Sequence, residues 1–130
     1  MIKKKILNSQ RIRRIDGGFS FIPHRFLTDG FLASLGQREL LLYLFLIVVS
    51  DRHGLSFYSY ETICSLLQLS LDQYMEARDG LIEKDLVAFD GTLFQVLELP
   101  CAPVQTQAPE KRADIVKLIR QSLQEAEGGR

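Results

Sequence analysis

The chain has 130 residues, 46% of them hydrophobic, which bounds it to one domain with appendages and an ordinary core. Two distant cysteines, Cys64 and Cys101, exclude a disulfide framework and fit a reduced, cytoplasmic setting. The longest apolar run, Leu40 to Val49, is ten residues, whereas a bilayer span needs about 20. Lys3-Lys4-Lys5 is followed only by Ile6-Leu7, so no secretory leader is expected.

Net charge is zero, but its distribution is uneven. Residues 1–14 carry Lys3, Lys4, Lys5, Arg11, Arg13 and Arg14 without an acid, and residues 15–100 carry five bases against twelve acids. A basic arm on an acidic body suggests a tail that interacts.

Residues 1–18 read as that arm, ending at Gly17-Gly18. Phe19 to Pro23 alternates and stops at proline, which predicts a short strand. His24 to Leu27 and Phe31 to Leu35 predict single helical turns separated at Asp29-Gly30. Gly36 then caps a helix over 37–50, with Glu39 near the positive end of its dipole. That helix is apolar on nearly every side, which predicts burial on several sides or a face left for a dimer partner. Asp51 to Gly54 ends it, and Leu55 to Tyr58 predicts a short strand.

Ser59 to Leu86 organises the rest. Ser59-Tyr60-Glu61-Thr62 opens a helix whose apolar side is Ile63, Leu66 and Leu67, and Leu69-Ser70 breaks it. Ser70-x-x-Gln73 is a capping box flanked by Leu69 and Tyr74 at the positions of a hydrophobic staple. Tyr74, Ala77, Arg78 and Leu81 continue a second helix, with Ile82 beside them. Leu86 to Phe89, Asp90-Gly91 and Leu93 to Leu97 predict a hairpin with a type I′ turn. Residues 100–109, with three prolines, read as a linker. Residues 110–130 hold an amphipathic helix with Ile115, Leu118, Ile119 and Leu123 on its apolar side. That side docks on its own core or pairs with a second copy as a homodimer.

Helix, turn, helix, hairpin over residues 19–99 resembles a winged helix-turn-helix. The matching stretches are Phe21-Ile22-Pro23, Leu40 to Leu46, Ser50 to Ser56, Tyr60 to Ser70 and Lys84 to Val87. They are most similar to modules of bacterial and plasmid replication-initiation and mobile-element proteins. The expected class is therefore α+β, mainly helical with a small hairpin, carrying a basic N-terminal arm and an added C-terminal helix. The resemblance implies a DNA-binding protein in replication or transcription control. The helix after the turn would enter the major groove. Its outward positions are Leu71, Asp72, Gln73, Met75, Glu76 and Asp79, none of them basic. Gln73, Asp72 and Glu76 are the candidate base readers, and Lys3, Lys4, Lys5, Arg11, Arg13 and Arg14 the candidate phosphate contacts. The alternative is a protein-interaction module in which Asp72, Glu76, Asp79 and Glu83 dock a basic partner. Gln73 serves either adenine or the capping box, and Arg78 either a phosphate or an ion pair. Gly80 is either a close-approach point or a surface glycine. His24 and His53 lack companions at metal-ligand spacing, and no nucleophile–base pair or phosphate-cradling loop is visible. No catalytic residue, metal or cofactor is expected.

Overall fold

The computed structural model describes residues 2–104 and 118–124. Residue 8 caps a single 3-10 turn at Ser9–Arg11, and the arm otherwise runs without regular structure to residue 23. The helices are α1 (Arg25–Thr28), α2 (Phe31–Ser34), α3 (Gln37–Val49), α4 (Tyr60–Leu67) and α5 (Leu71–Glu83). Strand β1 (Leu55–Ser56) lies between α3 and α4, and β2 (Val87–Phe89) and β3 (Phe94–Val96) follow α5. Residues 118–124 form a helical segment, α6.

Helix α3 is the centre of the core. Leu42, Tyr43, Leu46 and Ile47 are buried along it, and α5 packs on it through Tyr74, Ala77 and Leu81. Phe26, Phe31, Ile63, Leu86 and Phe94 complete the same cluster from the surrounding elements. Each such fully buried side chain contributes about 1.5–3 kcal/mol relative to exposure. The burial is not all round, however. Leu41, Leu44 and Val48 form an exposed stripe, so the apolar pattern of α3 exceeds what its neighbours cover.

The three strands form one antiparallel sheet in the order β1-β3-β2, with Leu55 opposite Gln95 and Phe89 opposite Phe94. That arrangement, after three core helices, is a winged helix. Helix α3 ends in a turn closed by Asp51, whose Oδ1 accepts from the backbone N–H of His53 at 2.8 Å and of Leu55 at 2.9 Å. Those two bonds hold its carboxyl below the usual carboxylate range, the Leu55 bond counting most. Gly54, at φ 82°, follows because a Cβ there would strike the Val96 carbonyl of β3.

Three local expectations need correction. Phe19 to Pro23 is not a strand. The segment pairs with neither open edge of the sheet, on β1 or β2; Pro23 has no N–H to donate, and its carbonyl instead accepts from Phe26 to start α1. The hairpin turn is centred one residue later than expected. Phe89 opposes Phe94, which leaves Gly91-Thr92 at the centre, and of these only Gly91 has a positive φ, so the turn is not type I′. Asp90 Oδ1 sets this register by accepting from Leu93 N at 2.6 Å and Thr92 N at 2.8 Å. On α4, Ile63 is buried and Leu67 half-buried, but Leu66 is exposed, because it sits at the edge of the apolar side, with the core covering the Ile63–Leu67 line.

Candidate nucleic-acid interface

The helix-turn-helix is fixed by its caps. Ser59 Oγ accepts from Thr62 N at 3.2 Å to open α4. Gln68 closes α4 in the left-handed region at φ 56°, and Leu69 N donates back to Cys64 O at 3.0 Å. Ser70 Oγ then accepts from Gln73 N at 3.1 Å, while Gln73 Oε1 accepts from Ser70 N at 3.0 Å. The capping box is thus formed in full, with Leu69 half-buried and Tyr74 buried beside it. Burial raises the Tyr74 phenol above its ordinary range, against an opposing pull from Arg78.

The outward face of α5 carries Leu71, Asp72, Met75, Glu76, Asp79, Ile82 and Glu83, all exposed. Gln73 is half-buried, and its carbonyl oxygen is held in the cap. Asp72, Glu76, Asp79 and Glu83 therefore share one side, and Asp72 sits in the first turn, where the helix dipole favours an acid.

Neither base of the 60–84 window lies on that side. The Arg78 guanidinium donates to Asp79 Oδ1 at 3.1 Å and lies over the Tyr74 and Phe89 rings. Its stem packs on the core, as the sequence allowed. Lys84 Nζ donates to Ser34 O at 2.7 Å and pairs with Glu39 Oε1 at 2.5 Å. Glu39 also accepts from Gly36 N at 2.8 Å, which caps α3 from the side chain of its third residue. Gly80 is the close-approach point: a Cβ there would overlap the Glu39 carboxylate. Helices α3 and α5 are thus joined by a polar tie at the one place where α5 has no side chain.

Positive charge is available in three other places, one of them the exposed Arg52 just after α3. Arg38 is exposed beside a groove of about 420 Å³ that runs between the starts of α3 and α5, lined also by Gln73 and Glu76. Sequence reasoning passed over Arg38 because its proximity to Gln73 depends on tertiary packing. The arm supplies the rest. Lys3, Lys4, Lys5, Arg11, Arg13 and Arg14 are all exposed, without an acidic partner among the described residues. The wing adds no base, since its tip is Asp90-Gly91-Thr92.

Elsewhere a cleft of about 580 Å³ lies between residues 19–23 and the end of α3, with Tyr43, Ile47, Arg52 and His53 among its walls. Arg25 is not free to serve it. Its guanidinium donates to Leu99 O at 3.3 Å and Pro100 O at 2.6 Å, and pairs with Asp29. Of the four expected dimerisation positions, Ile115 lies outside the described residues, Leu118 is exposed, and Ile119 and Leu123 are half-buried. Arg120 of α6 is bonded to Thr28 O and pairs with Asp29 at 3.5 Å. Among the described residues no group of His, Cys, Asp and Glu could hold a metal ion, and no helix is long and apolar enough to cross a membrane.

Residues 33–87 match the family model of a helix-turn-helix domain. The matched stretch runs from α2 to the start of β2 and includes both helices of the motif. No curated protein and no solved structure matches the chain. The chain therefore carries a helix-turn-helix domain, built here as a winged helix, and that is a DNA-binding fold, typically without enzymatic activity.

Proposed function

We propose that this winged helix-turn-helix domain binds double-stranded DNA in the bacterial cytoplasm as a homodimer. Its place is replication or transcription control, or service on a mobile element. The helix-turn-helix match supports the DNA-binding part. The finer part rests on the resemblance to replication-initiation and mobile-element modules.

The observation that carries the mode of binding is the location of unpaired positive charge. DNA affinity comes chiefly from neutralising phosphates. Both bases of the motif helices are tied up inside the domain, whereas the six arm bases are exposed. The arm therefore supplies most phosphate contacts, with the exposed Arg38 and Arg52 as additions from the body. Asp72 and Glu76 can accept from cytosine amino groups once the arm holds the duplex. Gln73 reads a base only if it leaves its cap.

Fluorescence anisotropy of a labelled random-sequence duplex, titrated at several salt concentrations, tests this. Six phosphate contacts predict a log–log salt slope of about −5. Deleting residues 1–14 should remove most of the affinity and flatten that slope. Full affinity in the truncated protein would refute the role of the arm.

A second reading is favoured by the composition of the α5 face. Leu71, Met75 and Ile82 are exposed among four acids, which suits a basic, partly apolar protein partner better than a phosphate backbone. Reversing charge with Asp72→Lys and Glu76→Lys should destroy such docking while leaving DNA binding intact or stronger. Loss of DNA binding on that change would count against this reading and for base contact by the acids.

A further inference from the structure

Two unpartnered surfaces of this chain complement one another. The first is the outer face of α5. Asp72, Glu76, Asp79 and Glu83 recur at spacings of four, three and four, so they form a single stripe along the helix. Leu71, Met75 and Ile82 are exposed alongside them, and Leu66 of α4 is exposed as well. Asp72, Glu76 and Glu83 have no cationic partner among the described residues.

The second is the arm. Its six bases are interleaved with Ile2, Ile6, Leu7, Ile12 and Ile15, each at least 56% exposed. The arm is not buried against its own domain, since every residue from 2 to 18 is exposed. Its pattern is the inverse of the α5 face: apolar side chains flanked by bases against apolar side chains flanked by acids. Helix α5, at 13 residues, is about 20 Å long. Fifteen extended residues reach roughly 50 Å, so the arm is long enough to leave its own domain and run the length of that face on a neighbour. A phosphate backbone is the poorer occupant, because it would bring like charge to the stripe.

We propose that the arm of one copy lies on the α5 face of a second copy, and that the exchange is reciprocal. Ile12 and Ile15, with Ile6 and Leu7, cover Leu71, Met75 and Ile82, while the arm bases pair with Asp72, Glu76 and Glu83. A reciprocal exchange is isologous and closes at two copies. The inference rests on the second reading above, that the α5 face docks a protein partner, and it names that partner. It also sets a competition, since an arm engaged on α5 is withdrawn from phosphates.

Sedimentation equilibrium of the full chain, without DNA, tests it at about 0.05 M and about 0.5 M salt, which differ several-fold in charge screening. Wild type should be dimeric at low salt and dissociate as salt rises. Two charge-reversed proteins follow, with circular dichroism to confirm that each is folded. One carries Asp72→Lys, Glu76→Lys and Glu83→Lys, and the other Lys3→Glu, Lys4→Glu, Lys5→Glu, Arg11→Glu, Arg13→Glu and Arg14→Glu. Each alone should associate about tenfold to a hundredfold more weakly. An equimolar mixture should regain a heterodimer, because each reversed arm then meets a reversed face. A wild-type protein that stays monomeric overturns the proposal, as does a mixture that fails to associate. Association lost on reversing the face but kept on reversing the arm would also overturn it, while leaving α5 as a docking face for another segment.

Discussion

Replacing Gly80 with alanine should destabilise the domain, although helix propensity alone argues the opposite. An alanine inside a helix is favoured over glycine by about 1 kcal/mol. At this position the new methyl overlaps the Glu39 carboxylate, which cannot swing away without loss. Glu39 is held by Gly36 N at 2.8 Å and by Lys84 Nζ, and the side chains of the Glu39–Lys84 pair are only 16% and 12% exposed. Releasing the cap bond costs about 1 kcal/mol. Disrupting a largely, though not fully, buried ion pair costs roughly 1–3 kcal/mol more, below the range for complete burial. The net expectation is a loss of about 1–3 kcal/mol, read as a lower urea midpoint at unchanged slope. The control is the same change in a Glu39→Ala background. With the carboxylate gone, Gly80→Ala should stabilise by up to about 1 kcal/mol, so the two sites should couple by roughly 2–4 kcal/mol in a double-mutant cycle. If Gly80→Ala stabilises the wild type, or acts alike in both backgrounds, Glu39 does not occupy the space opposite Gly80 and the tie between α3 and α5 is misassigned.

Ser70→Ala should cost about 1 kcal/mol by leaving Gln73 N without its acceptor, while the Gln73 side chain keeps its bond from the residue 70 N–H; thermal unfolding measures it, and no change would show that the Ser70 hydroxyl does not hold α5. The Asp90 carboxyl lies below its usual range, chiefly through its bond from Leu93 and then from Thr92. Its contribution to the turn is therefore complete above the unfolded carboxylate pKa of about 3.9 and fades as pH falls through the lower folded value. The Thr92 and Leu93 amide shifts should report that fading with a midpoint below about 3.9, and Asp90→Asn should keep the turn while abolishing the titration.

Much of the fold was legible because its signals are local. Both caps of the motif, the break expected at Leu69-Ser70 and the apolar run of α3 are patterns within a few residues, and the structure contains each of them, the break falling one residue earlier at Gln68. The failures share a cause: they depended on a partner not encoded nearby. Phe19 to Pro23 has the alternation of a strand, but a strand needs a neighbour to pair with, and the fold brings neither open edge, on β1 or β2, alongside it. The turn slipped by one residue because the Asp90 side chain accepts two backbone N–H groups and selects the register, overriding the Asp-Gly preference. The tie of Glu39 to Lys84 joins residues 45 apart, and nothing in either segment announces the other. At the candidate site, the arm bases and the acids of α5 were readable from charge alone. The availability of Arg78 and Lys84 was not, because it depends on which acid or carbonyl each meets in three dimensions.

That availability shapes the electrostatics of the molecule. Placing Arg78 over the Tyr74 and Phe89 rings ties α5 to β2, placing Lys84 on Glu39 ties it to α3, and the outer side of α5 is left with acids as its only charges. The same two bases cannot both secure the core and neutralise phosphates. In this chain the first use wins, because the lysine ammonium is nearly buried and would need to give up a carbonyl and a carboxylate to reach a phosphate. The scaffold thus separates two tasks that a basic recognition helix would combine. On the proposed DNA-binding reading, the motif would supply shape and any base contact through acids and Gln73. Long-range attraction would fall to the arm before Gly17-Gly18, whose bases carry no packing role among the described residues. An arm of this kind contributes affinity that is steep in salt and indifferent to sequence. On the same reading, discrimination between sites would depend on a helix whose acids repel the backbone except where the bases beneath offer a donor.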